Sequence, residues 1–198
     1  MPERILLLSK EDSSDMSTKA LLLVDFQNDY FESGKWRLNE TEAAAENGAK
    51  LLAAFRSRNL PIVHVRHEFP SDDAPFFVPG SEGAQIHSSV APREDETVVT
   101  KSNINCFRDT NLKSVLDGSD VESLVVVGAM SHMCVDAAVR TATDHGYHCS
   151  VAHDACATLD QEFDGVNVSA REVHAAFMAA LGFGYPNVAD TDAILSEL

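Results

Sequence analysis

Five apolar runs along the chain lack any alternation of apolar and polar positions, and each predicts a β-strand that is buried on both faces. They span residues 20–26, 60–68, 97–102, 123–129 and 147–155. Segments with apolar residues at helical spacing alternate with these runs and predict helices. They span residues 41–59, 110–120, 132–146 and 169–183. A last short strand and helix are expected within residues 187–198.

Alternating strands and helices predict an α/β fold with three layers, α/β/α, in which helices cover both faces of a parallel, Rossmann-like sheet. A length of 198 residues suits one domain. We expect that domain over residues 19–198, after a polar tail of residues 1–18. Residues 70–92 hold four prolines and predict a long excursion over the surface. Parallel sheets carry their chemistry beyond the C-terminal ends of the strands, so candidate residues are sought there.

Acidic residues outnumber basic ones by 31 to 15, which leaves a net charge of −16 with histidine neutral. A field of this sign repels phosphate backbones and anionic lipid surfaces, so we expect neither nucleic acid nor membrane as a partner. No apolar run approaches the roughly 18 residues of a membrane helix. The four cysteines show no CxxC spacing. Reduced thiols in a cytoplasmic protein are the expectation that fits them.

Three reactive side chains lie at the ends of predicted strands. Asp25 ends the first strand, Lys101 ends the third, and Cys134 lies one turn beyond the fourth. A helix start lowers the pKa of a thiol, a neighbouring carboxylate can take its proton, and a lysine keeps that carboxylate ionised. The trio therefore indicates nucleophilic catalysis by a thiol.

Each of the three side chains also has an ordinary structural explanation. A helical cysteine is often a small buried apolar residue, an aspartate at a strand end often caps a turn, and a lysine there is usually solvated. Their joint placement at strand ends favours the catalytic interpretation.

Three stretches of the sequence, residues 21–31, 98–116 and 125–158, resemble the isochorismatase-like hydrolases in order, spacing and local context. The resemblance implies a six-stranded, mostly parallel sheet and a catalytic triad of Asp25, Lys101 and Cys134. It also implies a cis peptide bond between Ala129 and Met130, an oxyanion hole made by the backbone N–H groups of Met130 and Cys134, and a homo-oligomer.

The sequence lacks the metal-binding pattern of one branch of this family, the nicotinamidases. That branch carries a D-x-H pattern after its second strand, whereas this chain has VHVRHEF there. His64 and His67 are three residues apart on a predicted strand and should point to opposite faces. We therefore predict neither a metal nor another cofactor.

A substrate pocket is expected among side chains in the loops above the strand ends. The predicted pocket residues are Gln27, Phe31, Trp36, Phe107 and His132. The small-molecule substrate predicted for this site is an amide or ureido compound, cleaved at its C–N bond through a thioester on Cys134. One alternative is an isochorismatase-type ether or ester hydrolase, and another is a non-catalytic binding or scaffold protein with the same fold.

Self-association is expected from two features besides the resemblance. The helix over residues 175–183 is apolar nearly all round. Phe76 and Phe77 lie between prolines in the 70–92 loop, where either could bury against a second copy.

Overall fold

The computed structural model describes residues 18–198, which form eight strands and five helices. The strands are β1 (Thr18–Val24), β2 (Ile62–His67), β3 (Thr97–Lys101), β4 (Val121–Ala129), β5 (His148–Ala157), β6 (Gln161–Phe163), β7 (Val166–Val168) and β8 (Asn187–Ala189). The helices are α1 (Thr41–Ser57), α2 (Leu112–Gly118), α3 (Asp136–Asp144), α4 (Ala170–Gly184) and α5 (Thr191–Ser196). Residues 1–17 of the predicted tail lie outside the described residues. Thr18 already belongs to β1.

The main sheet of the described residues has the strand order β3-β2-β1-β4-β5-β8, and its neighbouring strands pair in parallel. This confirms the predicted six-stranded α/β fold. The antiparallel hairpin of β6 and β7 was not predicted. Its strands have three residues each, and Phe163 and Val166 are exposed, so no periodic apolar pattern marks them.

Two separate hydrophobic cores cover the two faces of the sheet. Leu22 and Val24 of β1 belong to one core, and Leu21 and Leu23 belong to the other. Both sets are almost completely buried. Because both faces of the strand are covered, apolar residues occupy every position, which explains the unbroken run in the sequence.

The loop over residues 70–92 runs over the surface as predicted, with most of its residues at least partly exposed, but two of its phenylalanines turn inwards. Phe76 and Phe77 are buried within their own chain, with exposed fractions of 9% and 1%. The buried carboxylate of Asp29 fastens the loop, because its Oδ2 accepts a hydrogen bond from the Phe77 N–H at 2.7 Å. Gly83 packs against the same carboxylate so closely that a Cβ atom there would lie 2.2 Å from Asp29 Oδ1. The two phenylalanines are therefore core residues of the chain itself.

Helix α4 is capped at its start and apolar on its outer side. Ser169 accepts from the Glu172 N–H, and Glu172 bonds back to Ser169, so the two form a capping box. The outer side, called here the α4 face, consists of the exposed residues Ala175, Ala176, Ala179, Ala180 and Phe183. Among residues 18–198, no helix combines the length and apolar character needed to cross a membrane.

Gly128 is predicted to be indispensable where β4 approaches β1. Its φ is +134°, and a Cβ atom would lie 2.0 Å from the Val24 carbonyl oxygen. We expect Gly128→Ala to lower the free energy of unfolding by at least about 3 kcal/mol, measured by urea denaturation. Gly118→Ala is the matched control, because a Cβ at that helical position meets nothing within 4 Å. The control should change stability by no more than about 1 kcal/mol, in the stabilising direction. Equal midpoints for the two variants would contradict this account.

Candidate active site

The ends of parallel strands bring Asp25, Lys101 and Cys134 together. Asp25 follows β1, Lys101 is the last residue of β3, and Cys134 lies in the turn after β4. Lys101 Nζ is 2.7 Å from Asp25 Oδ2 and donates to Cys134 Sγ at 3.3 Å. The exposed fractions of the three residues are 0%, 1% and 3%, so the trio lies almost out of contact with water.

Asp25 leaves β1 through a left-handed backbone conformation with a φ of +53°. Few residues other than glycine adopt this region, and aspartate is one that tolerates it. The Asp25 N–H still donates to the Val65 carbonyl of β2 at 2.9 Å, whereas the Gln27 N–H donates to the Asp25 carbonyl. The chain therefore turns sharply at the residue whose carboxylate meets Lys101.

Cys134 lies in a π-helical turn over Ser131–Val135, and helix α3 begins only at Asp136. The prediction of one α-helix over residues 132–146 is therefore wrong for residues 132–135, which belong to the π-helical turn. The N–H groups of Met133 and Val135 both donate to the Met130 carbonyl, and this shared acceptor widens the turn. The Ala129–Met130 peptide bond at its entrance is cis. π-Helical turns occur often at functional sites.

Ser131 anchors this turn from below. It is fully buried, and its Oγ lies 2.8 Å from His174 Nδ1 on α4 and 3.3 Å from the Ala157 carbonyl oxygen on β5. The turn that carries Cys134 is thus tied to a helix and to a strand. Met130 and Cys134, the predicted oxyanion donors, belong to this anchored segment.

The thiol of Cys134 is held protonated by its surroundings. Burial raises its pKa, the Asp25 carboxylate raises it further by charge and by hydrogen bonding, and Lys101 acts in the opposite direction. The predicted lowering of the thiol pKa is therefore wrong, because desolvation and the nearby carboxylate outweigh the helix start. Burial alone would lower the pKa of Lys101, but the charge of Asp25 and the hydrogen bonds with Asp25 and Cys134 outweigh it and raise that pKa.

His67 lies beside Lys101 of the trio, a position that was not predicted from the sequence. Its Nδ1 lies 2.9 Å from Lys101 Nζ, and its exposed fraction is 3%. It is the last residue of β2, so the strand-end rule could have found it. His64 has a different partner, since its Nε2 lies 3.0 Å from Glu96 Oε2.

Gln27 is not a free pocket residue, which corrects its predicted role. It is completely buried, and its Nε2 donates to the carbonyls of His67 and Ala84 at 2.8 Å each. Its Oε1 accepts from the His67 N–H at 2.7 Å. The side chain is a brace for the end of β2, with its hydrogen-bonding capacity committed to backbone groups.

The other predicted pocket residues are dispersed. Phe31 is buried and stacks on His87 with ring centres 3.6 Å apart. Phe107 contacts His145 and Tyr147 before the start of β5, at the opposite end of the sheet from the strand ends of the site. Its role as a pocket residue is corrected accordingly.

Trp36 and His132, like Phe107, keep part of their surface exposed. Trp36 is 39% exposed and stacks on Phe76 at 4.8 Å. His132 is half-buried, with Nδ1 2.7 Å from Thr158 Oγ1. Ring contacts at 5.1 and 4.5 Å then link Phe76 through Phe69 to His67. An aromatic path therefore leads from the surface to the residue beside Lys101.

Tyr30 is a further neighbour of the trio that the sequence analysis missed. Burial raises the pKa of its phenol well above the usual value, and the charge of Asp25 adds to that rise. Its ring packs on Phe77 at 4.6 Å. Within residues 18–198, no group of three or more His, Cys, Asp or Glu side chains is arranged to hold a metal ion.

Comparison with known proteins assigns this architecture to a family. A model of the isochorismatase domain matches residues 19–193. The family protein YddQ of Bacillus subtilis is 49% identical over 90% of this chain and 99% of its own length. The secreted isochorismatase effector Isc1 of Verticillium dahliae is 39% identical, with 75% of this chain and 76% of Isc1 covered.

A streptothricin hydrolase of Streptomyces noursei is 38% identical over 72% of this chain and 50% of its own length. The crystal structure of an isochorismatase-type hydrolase from Oleispira antarctica is 62% identical and superposes with a TM-score of 0.89. That superposition covers 91% of this chain and 97% of the other.

Opposite effects on Cys134 are predicted for two substitutions in the trio. Asp25→Asn removes the group that raises the thiol pKa, so Cys134 should react faster with iodoacetamide at a fixed pH. Lys101→Met removes the group that lowers it, so Cys134 should react more slowly. The rate is followed by mass spectrometry of the peptide that contains Cys134. Shifts of the same sign, or no shift in either variant, would mean that these charges do not act on the thiol.

Proposed function

This chain belongs to the isochorismatase family of hydrolases, and we propose that it cleaves the C–N bond of a small amide or ureido compound through a thioester on Cys134. The observation that carries the proposal is Lys101, which bridges Asp25 at 2.7 Å and Cys134 at 3.3 Å in a nearly closed site. A carboxylate, an ammonium and a thiol in contact are the parts that covalent acyl transfer needs.

The first half of the reaction transfers the acyl group to sulfur. Asp25 accepts the Cys134 proton while Sγ attacks the carbonyl carbon, and the backbone N–H groups of Met130 and Cys134 stabilise the oxyanion. Collapse of this intermediate breaks the C–N bond. Protonated Asp25 returns its proton to the nitrogen, so the amine leaves neutral and the thioester remains.

The second half regenerates the enzyme with water. Asp25 is again a carboxylate. It removes a proton from a water molecule while the oxygen of that water attacks the thioester carbonyl carbon. The C–S bond then breaks, and the sulfur recovers a proton from Asp25. Lys101 keeps its charge throughout and stabilises whichever of its neighbours is anionic.

Relatives of the chain favour different bonds. Similarity to a protein named nicotinamidase, and to the streptothricin hydrolase, supports C–N cleavage. The similarity to Isc1, named an isochorismatase effector, favours the second candidate, cleavage of an isochorismate-like ether. The thiol decides our preference, since acyl transfer uses a nucleophilic sulfur and hydrolysis of a vinyl ether has no need of one.

We place the enzyme in the cytoplasm, a location that its four free cysteines support.

Cys134→Ala is predicted to abolish amide hydrolysis while the chain remains folded. Turnover should be measured across simple amides, ureides, carbamoyl amino acids, lactams and isochorismate. Cys149→Ala is the matched control, because Cys149 is also a buried cysteine but lies at the start of β5, away from the trio. Full activity of Cys134→Ala on the best substrate would eliminate the covalent mechanism. Isochorismate turnover that survives Cys134→Ala would establish the ether candidate instead.

Assembly into a homo-oligomer through the α4 face completes the proposal. Residues 173–189 contain no acidic residue, although the chain carries a net charge of −16. Copies with this charge repel each other least where no carboxylate is displayed. Phe183, 95% exposed at the end of the α4 face, offers apolar area to bury there.

Light scattering on the full chain should give at least twice the monomer mass of 21.5 kDa. Ala179→Asp, which places a charge in the α4 face, should shift the mass towards the monomer. Ala53→Asp makes the same change on an exposed position of α1 and should leave the mass unaltered. A monomeric wild-type chain, or equal masses for the two variants, would refute this interface.

A further inference from the structure

We propose that His67 is a positioning residue for Lys101, which its imidazole holds so that one ammonium N–H faces Cys134. The inference rests on the function proposed above and adds a residue outside the triad. His67 does not touch the thiol itself, and its action passes entirely through Lys101.

The strand order explains why Lys101 needs a support at this place. Lys101 ends β3, and β2 separates β3 from β1, where Asp25 lies. With neighbouring strands about 4.8 Å apart, the side chains of Lys101 and Asp25 together have to bridge roughly 10 Å across the end of β2. His67 is the residue of β2 that stands directly beside Lys101 in the parallel register. The long side chain therefore passes over His67 on its way to the site.

The three hydrogens of the ammonium have three acceptors. Lys101 Nζ is 2.7 Å from Asp25 Oδ2, 2.9 Å from His67 Nδ1 and 3.3 Å from Cys134 Sγ. A lysine ammonium has three donors and no acceptor, and these three groups are the ones close enough in the described structure to receive them: Asp25 as the ion-pair partner, and His67 and Cys134 through hydrogen bonds. Without the imidazole, one N–H would remain unpaired in a buried site, and the ammonium would turn or move towards Asp25 to compensate.

His67 is itself held by contacts that do not involve Nδ1. Gln27 grips its backbone at both the N–H and the carbonyl, at 2.7 and 2.8 Å. Its ring packs against Phe69 with centroids 4.5 Å apart. A change at the ring therefore leaves the backbone brace in place.

The imidazole is neutral, as an acceptor must be. Burial lowers its pKa, the Lys101 charge lowers it further, and the net value is about 4 despite the opposing effects of Asp25 and the Asn103 backbone. In the unfolded chain the His67 imidazole takes up a proton near pH 6.5, whereas in the folded chain it is protonated only near pH 4. This contribution to stability is therefore complete above about pH 6.5 and is lost as the pH falls through about 4.

The experiment compares substitutions of His67 by the rate at which iodoacetamide alkylates Cys134 in the folded full chain at fixed pH. His67→Asn can place its Oδ1 near the position of Nδ1, whereas the amide of His67→Gln is displaced by one methylene group. We expect His67→Gln and His67→Leu to slow alkylation by roughly tenfold and His67→Asn to stay near the wild-type rate. His64→Leu is the matched control on the same strand, because His64 is buried but contacts Glu96 rather than Lys101. It should keep the wild-type rate.

Equal rates for His67→Asn and His67→Gln would overturn the inference, and this pair suffices if His67→Leu does not fold. The proposed function fails separately, through an active Cys134→Ala variant. If Lys101→Met slows alkylation while all His67 variants behave like the wild type, the triad stands and the role of His67 is refuted.

Discussion

The buried ion pair of Lys101 and Asp25 is the constraint on which the rest of this structure depends. Neither side chain has measurable exposure. Removal of two charges from water costs several kcal/mol for each, which their attraction offsets only with good geometry and further hydrogen bonds. The strand order β3-β2-β1 sets the distance that Lys101 and Asp25 bridge. The Gln27 brace fixes the end of β2 in the middle of that span, and the left-handed turn at Asp25 fixes its β1 end.

The number of charges in the site explains why the thiol is protonated at rest. One ammonium and one carboxylate cancel, so a thiolate would leave a net negative charge in a buried site. Burial and the Asp25 charge accordingly raise the pKa of Cys134. Transfer of the thiol proton to Asp25 during attack keeps the total charge unchanged, because the new negative charge moves onto the substrate oxygen. A raised thiol pKa is thus compatible with nucleophilic catalysis when the proton acceptor is part of the site.

The sequence allowed most of the sheet and the three central residues to be predicted, for a physical reason that also sets the limit. Strands that are buried on both faces appear in the sequence as continuous apolar runs. The ends of these runs mark the strand ends, where Asp25 and Lys101 lie. His67 also ends a strand and could have been named as a candidate, but its contact with Lys101 comes from the strand order, which places β2 between β1 and β3, and no local pattern encodes that order. Gln27 was misassigned because the sequence does not distinguish a glutamine that hydrogen-bonds to backbone groups from one that binds a ligand.

The depth of the trio separates the chemistry from the choice of substrate. Asp25, Lys101 and Cys134 lie in a deeply buried layer, where any change of size or charge disturbs the ion pair. Selection between substrates therefore falls to side chains with exposure above that layer. Trp36 packs on Phe76 of the 70–92 loop, and His132 contacts Phe177 of α4 at 5.9 Å. Loops can change these contacts without altering the buried charges, so relatives named as an isochorismatase effector and as a streptothricin hydrolase can share one fold.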